Sequence, residues 1–181
     1  FKNKRATVSL GYIGLYEAAT VFYGPNWETQ SIVKKFTLDI LKAMKVYQLK
    51  WTEQYDVWFS VYSTPSESLT DRFCRLDIEK YGEIPNVTDK GYYQNSFHYD
   101  VRKDITPFEK IDFEKDYPFY ASGGYIHYCE YPKLNHNLKA LEAVWDYSYD
   151  KVSYLGTNIP IDHCRKCDFR GDFKTTATGR S

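Results

Sequence analysis

The sequence lacks an excess of charge of either sign, since 24 lysines and arginines balance 24 aspartates and glutamates in 181 residues. This balance argues against a surface that attracts nucleic acid or anionic membranes at long range. Glycine and proline are scarce, with 10 and 7 residues, which excludes a low-complexity chain. No apolar run approaches the roughly 18 residues of a membrane span, and no signal peptide is visible. We therefore expect one cytoplasmic globular segment with no membrane or nucleic-acid partner.

Cysteine is also rare, and its spacing is uneven: Cys74 and Cys129 are isolated, whereas Cys164 and Cys167 are close together. In a chain without a secretory signal, this pattern favours reduced thiols with one metal or redox pair over a disulfide framework. Aromatic residues are abundant, with 18 tyrosines, 11 phenylalanines and 4 tryptophans. They are sufficient to build a rigid core.

Short β-rich runs alternate with amphipathic helical patterns along the chain, which predicts an α/β fold with crossovers long enough for parallel pairing. The longest helical pattern carries one apolar stripe, at Ile32, Val33, Phe36, Ile40, Ala43, Met44 and Tyr47. The expected strands are 5–10, 57–62, 97–101, 125–129 and 152–155, and the expected helices are 15–23, 28–54, 69–76, 106–113 and 137–149. After Gly156 the sequence becomes small, polar and charged, which indicates a separate appendage.

The C-x-x-C motif formed by Cys164 and Cys167 is the most specific signal for a site. Such a turn directs two thiolates toward one metal ion, and the neighbouring Arg165 and Lys166 lower the thiol pKa. The motif supplies half of a four-cysteine zinc site, and His163 is too close along the backbone for a comfortable third ligand. A redox pair and two unliganded thiols are the alternatives.

A second candidate site follows the strand expected at 57–62. Hydroxyl-bearing residues surround a proline just before a helix, in the order Ser63, Thr64, Pro65, Ser66, Glu67 and Ser68. The free N–H groups at a helix start bind phosphate, aided by hydroxyls. Composition alone favours ordinary helix capping instead. Arg72 and Arg75 face a ligand or pair with nearby acidic residues.

The segment from Ala121 to Glu130 carries two adjacent glycines, Gly123 and Gly124, which allow close approach of a neighbouring backbone or ligand. By residue type and sequence proximity alone, His127, Cys129 and Glu130 resemble a catalytic trio. Strand alternation, however, places His127 and Cys129 on one face and Glu130 on the other. We expect a structural role for this segment, and a packed position in the core for His98.

Together, these motifs resemble the C-terminal part of the catalytic subunit of anaerobic (class III) ribonucleoside-triphosphate reductases, which are glycyl-radical enzymes of bacteria and phages. The resemblance runs in family order over nearly the whole chain. The matching strings are RATVSLGYIGLYE (5–17), VWFSVYSTPSESLTDRFCRLDIEKYG (57–82), NSFHYDVRKD (95–104), ASGGYIHYCEYP (121–132), ALEAVW (140–145) and YLGTNIPIDHCRKCDF (154–169).

The resemblance implies a ten-stranded α/β barrel, with residues 1–156 as part of the barrel and 157–181 as the first half of a zinc ribbon. In such enzymes a glycyl radical generates a thiyl radical, which abstracts the ribose 3′ hydrogen and starts loss of the 2′-hydroxyl. The segment Ser63–Ser68 then holds the substrate phosphates, which reverses the preference for ordinary capping. Cys164 and Cys167 match the first zinc-ligand pair. Glu17 becomes a candidate proton acceptor, with an ordinary first-turn helix residue as the alternative.

The same resemblance assigns several parts of the enzyme to other residues. The second cysteine pair of the zinc site and the radical glycine are expected beyond Ser181. The thiyl cysteine and the allosteric nucleotide site are expected before Phe1, so neither Cys74 nor Cys129 is assigned as the thiyl residue. This chain alone is expected to be inactive. The implied partners are the remaining reductase polypeptide in a homodimer, a radical-SAM activating enzyme, ribonucleoside triphosphates and nucleotide effectors.

Two functions of other classes remain open at this point. One is a zinc-ribbon binding module on an α/β scaffold, which zero net charge disfavours as a nucleic-acid binder. The other is a thiol oxidoreductase that uses Cys164 and Cys167.

Overall fold

The computed structural model describes residues 6–131, 137–158, 162–171, 175–176 and 179–180. No helix in these ranges is long and apolar enough to cross a membrane. The strands are β1 Thr7–Tyr12, β2 Trp58–Ser63, β3 His127–Glu130, β4 Leu155–Asn158, β5 Asp162–His163, β6 Arg170–Gly171, β7 Thr175–Thr176 and β8 Gly179–Arg180. The helices are α1 Leu15–Tyr23, α2 Ser31–Tyr55, α3 Ser68–Tyr81, α4 Pro107–Glu114 and α5 Leu138–Ser148, with a 3₁₀ turn at Tyr117–Tyr120.

The four longer strands form two parallel pairs, which confirms the prediction of parallel crossovers. β1 pairs with β2, from Thr7 opposite Trp58 to Tyr12 opposite Ser63. β3 pairs with β4, from His127 opposite Leu155 onward. The carboxyl ends of β1 and β2 therefore meet at one edge, where ligands bind in open parallel sheets.

Gly123 and Gly124 connect the two pairs. The Gly123 N–H donates to Val61 O at 2.7 Å, and the Ser63 N–H donates to Gly124 O at 3.1 Å. A Cβ at Gly123 would lie 2.8 Å from Ser60 Oγ and 3.0 Å from the Val61 carbonyl oxygen. The close backbone approach expected from this glycine pair is confirmed at Gly123.

Helix α2 forms as predicted, but its most buried face differs from the predicted stripe. The buried positions are Val33, Thr37, Leu41 and Gln48, whereas Ile32 and Tyr47 are exposed. Polar residues occupy this face because their hydrogen bonds are satisfied there. The hydroxyls of Thr37 and Tyr117 lie 2.8 Å apart, and Gln48 Nε2 donates to Phe59 O at 2.7 Å. The periodicity of apolar residues alone could not show these two partners.

The prediction of a strand at 97–101 is wrong, since this segment has an irregular backbone. Its Phe97 ring stacks on the Tyr117 ring with centroids 5.5 Å apart, and its Tyr99 N–H donates to a Glu114 carboxylate oxygen at 2.9 Å. A side chain therefore takes the place of a neighbouring strand as hydrogen-bond partner. His98 is buried, as expected.

Other boundaries shift by a few residues. The strand expected at 152–155 is β4, which begins at Leu155 and continues to Asn158, and the one expected at 125–129 is β3. Arg5, the first residue of the strand expected at 5–10, lies outside the described residues. Helix α4 begins as expected after Thr106, whose side chain forms a capping box with Glu109.

Candidate functional site

The segment Ser63–Ser68 lies where β2 ends at the carboxyl edge. Ser63 is buried, and its hydroxyl lies 2.8 Å from the hydroxyl of Tyr12, the last residue of β1. The Thr64 hydroxyl occupies the space that a side chain at Gly11 would need. The end of β1 therefore fixes the first half of this segment, which we call the β2–α3 loop.

The second half of the β2–α3 loop forms the start of α3. The Ser66 N–H donates to Asn95 Oδ1 at 2.9 Å, and the Leu69 N–H donates to Ser66 O at 2.8 Å. Glu67 is the residue before the helix, with φ 38° and ψ −106°, and no side-chain hydrogen bond caps the helix start there. Composition alone favoured ordinary capping of this helix by a loop hydroxyl. The start of α3 has no such cap. The first-turn N–H groups of a helix have no intrahelical partner and suit an anion.

Arg75 has a local partner in α3. Its Nη2 lies 3.0 Å from Asp71 Oδ2, four residues earlier on the same exposed face. This ion pair is the helix-surface pairing that the sequence offered as the alternative to a ligand contact.

Glu17 lies in the first turn of α1 and is buried. Its Oε1 accepts hydrogen bonds from the buried Lys90 ammonium and from the Gln94 N–H, the latter at 3.0 Å. Oε2 has no hydrogen-bond partner among the described residues. Burial raises the pKa of Glu17 above its ordinary value, although Lys90 acts in the opposite direction.

Glu17 also lines a groove between α1 and α3 of about 480 Å³. The groove walls are largely apolar and include Val21, Phe73 and Leu76. No residue of the β2–α3 loop lines this groove. The structure therefore does not bring Glu17 and the loop into one cavity of the described residues.

His127 and Cys129 are buried on one face of β3, and Glu130 is exposed, as strand alternation predicts. His127 Nε2 lies 3.4 Å from Cys129 Sγ, and His127 Nδ1 lies 2.8 Å from Glu114 Oε2. The carboxylate beside this histidine is therefore Glu114 of α4 and not Glu130. Burial raises the pKa of the Cys129 thiol, as expected for a packed cysteine.

Cys164 and Cys167 lie in the turn between β5 and β6, and both are free thiols. Hydrogen bonds from the backbone N–H groups of Cys167 and Lys166 lower the pKa of Cys164. The turn closes through the Asp168 N–H, which donates to Cys164 O at 2.8 Å. Hydrogen bonds from backbone N–H groups to a sulfur stabilise its thiolate form, which is the form that binds a metal ion.

His163 has a partner other than a metal in this turn. Its Nε2 lies 2.6 Å from Asp168 Oδ1. In the part of the chain that the structure describes, no group of three or more candidate ligands is close enough to hold an ion. The two cysteines are therefore the ligands that this turn can offer, and a closed four-ligand site needs two more.

Sequence reasoning missed two residues that organise these segments. Asn95 holds the β2–α3 loop through Ser66, and Glu114 contacts both buried histidines. Asn95 lies in one of the strings that carry the family resemblance, but no spacing rule connects it to Ser66. Glu114 reads as an ordinary partner of Lys110 at i,i+4, so its tertiary contacts left no signal in the sequence.

Solved structures resemble this fold. An anaerobic ribonucleotide reductase superposes over 100% of this chain and 29% of its own length, with a TM-score of 0.75 and 17% identity. A structure of the Thermotoga maritima anaerobic ribonucleotide reductase, in complex with dATP and CTP, covers 91% of this chain and 27% of its own length, with a TM-score of 0.69 and 17% identity. At this identity the likeness concerns the fold, which is α/β.

Sequence comparison gives closer relatives. The anaerobic ribonucleoside-triphosphate reductase of Haemophilus influenzae is 52% identical over 181 residues, which are 99% of this chain and 26% of that protein. The Escherichia coli enzyme of the same name is 51% identical, with 99% and 25% covered. The enterobacteria phage T4 enzyme is 46% identical over 179 residues, with 99% and 28% covered. The chain thus spans about a quarter of the length of these relatives.

A family model, described as anaerobic ribonucleoside-triphosphate reductase, matches residues 1–178. The match covers the β2–α3 loop, the β5–β6 turn and every longer strand and helix of the structure. It confirms the resemblance drawn from the sequence strings. The chain belongs to the anaerobic ribonucleoside-triphosphate reductase family.

Proposed function

We propose that this chain works as one part of an anaerobic ribonucleoside-triphosphate reductase, which converts ribonucleoside triphosphates to 2′-deoxyribonucleoside triphosphates. The observation that carries this proposal is the family match over residues 1–178. The chemistry is radical-based, and a glycyl radical outside this chain supplies the unpaired electron. The residues of this chain bind the substrate phosphates, accept a proton near the ribose hydroxyls and provide two ligands of a structural zinc ion.

The β2–α3 loop is the proposed binding site for the substrate phosphates. Ser63, Thr64, Pro65, Ser66, Glu67 and Ser68 lie between β2 and the start of α3. The helix start offers the positive end of its dipole and first-turn N–H groups that have no partner within the helix, although the Leu69 N–H already donates to Ser66 O. Glu67 contributes its backbone, because its carboxylate would repel a phosphate. Anchors at Tyr12 and Asn95 hold the loop in place before the substrate arrives.

Cys164 and Cys167 are the proposed ligands of a structural Zn²⁺ ion, completed by two cysteines of the reductase outside this chain. Support comes from the two free thiols in one tight turn and from the N–H groups that lower the pKa of Cys164. Four thiolates leave no open position for water or substrate. The ion would brace the segment that carries the radical glycine.

Glu17 is the proposed proton acceptor near the ribose hydroxyls. Its raised pKa and its unpaired Oε2 are the two features that support this role. Glu17 also pairs with Lys90 and therefore contributes to stability. The effects of a Glu17 substitution on activity and on stability must be measured separately.

The complete reductase is proposed to be a ten-stranded α/β barrel, to which residues 1–156 contribute, with 157–181 as the first half of a zinc ribbon. It would act as a homodimer, with a radical-SAM activating enzyme as partner and nucleotides as effectors. The solved Thermotoga maritima structure bound to dATP and CTP supports nucleotides as ligands of this fold.

The test is anaerobic turnover of CTP by the complete reductase, after activation. We expect dCTP as product, and a raised KM for CTP when Ser66 and Ser68 are both replaced by alanine. Radical yield should not change, because the loop lies in a different segment from the radical glycine. Absence of any deoxynucleotide from a fully activated enzyme would contradict the proposed function.

A further inference from the structure

Glu114, the last residue of α4, is a fully buried carboxylate that the proposed chemistry does not use. Its Oε1 accepts from Lys110 Nζ at 2.6 Å and from the Tyr99 N–H at 2.9 Å. Its Oε2 lies 3.2 Å from His98 Nδ1 and 2.8 Å from His127 Nδ1. A carboxylate with no contact to water persists only when such partners compensate its desolvation. Both carboxylate oxygens of Glu114 therefore have partners, and these contacts fix the positions of the groups that make them.

Two of these contacts lead to the proposed phosphate site. His98 and Tyr99 belong to the irregular segment that also carries Asn95, and the His98 N–H donates to Asn95 O at 3.0 Å. Asn95 Oδ1 accepts from the Ser66 N–H at 2.9 Å, inside the β2–α3 loop. A continuous path of hydrogen bonds and close polar contacts thus connects Glu114 to the loop through His98 and Asn95.

A cavity of about 280 Å³ lies along this path. Its walls include Asn95, His98, Tyr99, Lys110 and Cys129. Atoms that border a cavity lack packing partners on that side. On the side that faces the cavity, the segment is therefore positioned by its polar contacts. Elsewhere it is also held by ring packing, since Phe97 stacks on Tyr117 with centroids 5.5 Å apart and Tyr99 packs edge-on against Phe113 with centroids 5.0 Å apart.

We infer that Glu114 is a positioning residue for the phosphate site: through His98 and Asn95 it holds the β2–α3 loop in the geometry that receives a triphosphate. The inference rests on the proposed function of that loop. Glu114 does not touch the substrate. It fixes the segment whose Asn95 side chain binds the Ser66 N–H and so aligns the start of α3.

The two histidines provide a matched pair for the test, because both contact Glu114 Oε2 but only His98 belongs to the segment with Asn95. In the complete reductase, His98→Leu and His127→Leu each remove one such contact. The readouts are the dissociation constants for CTP and for cytidine, the KM and kcat for CTP, and the urea midpoint of each variant.

We expect His98→Leu to weaken CTP binding by about two- to tenfold, the range for one lost hydrogen bond. Cytidine binding should not change, and the effect should appear in KM and not in kcat. His127→Leu should bind CTP as the parent does, even if its urea midpoint falls. His98→Gln keeps a donor toward Glu114 and should restore CTP affinity.

Asn95→Ala is the second variant, because it removes the link to Ser66 without changing Glu114. It should weaken CTP binding in the same selective way. Equal losses in His98→Leu and His127→Leu would overturn the inference, since Glu114 would then be merely structural. So would parental CTP affinity in His98→Leu alongside reduced affinity in Ser66→Ala. Parental affinity in the Ser66→Ala, Ser68→Ala double variant would instead contradict the proposed function of the loop itself.

Discussion

The Thr64 hydroxyl fills the space beside Gly11 where any other residue would place its Cβ. Gly11 lies near the end of β1, opposite Tyr62 of β2, and Thr64 is the second residue of the β2–α3 loop. The absence of a side chain at one strand end therefore allows the neighbouring loop to fold closely over it.

A double-mutant cycle tests this fit. Gly11→Ala should displace Thr64 and weaken CTP binding, because the new methyl group collides with the hydroxyl. Thr64→Ala in the same chain removes the collision and leaves the two Cβ atoms at about the 3.4 Å separation that the structure gives for Thr64 Cβ. The double variant should bind CTP like Thr64→Ala alone. A loss equal to the sum of the two single losses would show that the contact is unimportant.

Replacing Cys164 or Cys167 by serine should abolish zinc binding, because a closed structural site needs all four thiolates. Zinc content is measured by atomic emission on the purified complete reductase. Cys74→Ser is the matched control, since Cys74 is buried against Thr88 O in a different part of the fold. We expect full zinc in the control, and a folded barrel with low radical yield in the Cys164 and Cys167 variants. Full zinc content in either variant would refute the assignment.

Glu17→Gln separates the two roles of this carboxylate. As proton acceptor, Glu17 is required for turnover, so activity should collapse while CTP binding and radical formation persist. The measurement is kcat at saturating CTP, together with the radical signal by electron paramagnetic resonance. Near-normal turnover would leave Glu17 as a helix residue paired with Lys90.

The contributions of the two buried glutamates, Glu114 and Glu17, to the free energy of unfolding should change with pH in opposite directions. Burial acts to raise the pKa of Glu114, but the contacts with Lys110, His98 and His127 together outweigh it and hold the pKa well below its ordinary value of 4.5. Its contribution to stability is therefore present above about pH 4.5 and is lost as the pH falls toward the folded-state value. Glu114→Gln should cost about 3–5 kcal/mol near pH 7, the usual cost of breaking a buried pair, and less near pH 4.

Glu17 has a raised pKa, so its contribution is complete below pH 4.5 and declines as the pH rises through the folded-state value. Glu17→Gln should therefore become less destabilising between pH 4 and pH 7. Urea midpoints of both variants and the parent across this range measure the two trends. The same pH trend in both variants would contradict a lowered pKa for Glu114 together with a raised pKa for Glu17.

The sequence predicted local structure better than tertiary partners. Apolar periodicity located α2, and Thr106 followed by Pro107 predicted the start of α4, because both signals depend on nearby residues. The strand expected at 97–101 was wrong because Glu114 provides the hydrogen-bond partner that a second strand would provide. The hydroxyl cluster marked Ser63–Ser68, yet its anchors at Tyr12 and Asn95 are 51 and 29 residues away from the residues they hold. Contacts of this separation have no local pattern.

The central claim is that the β2–α3 loop holds the substrate phosphates, and the affinities for CTP and cytidine test it most directly. The variant replaces Ser63, Thr64 and Ser66 by alanine in the complete reductase, and both dissociation constants are measured by calorimetry. Hydrogen bonds to a charged group contribute about 1.5–3 kcal/mol each, so CTP binding should weaken roughly tenfold or more while cytidine binding does not change. Equal CTP affinity in the variant and the parent would contradict the claim.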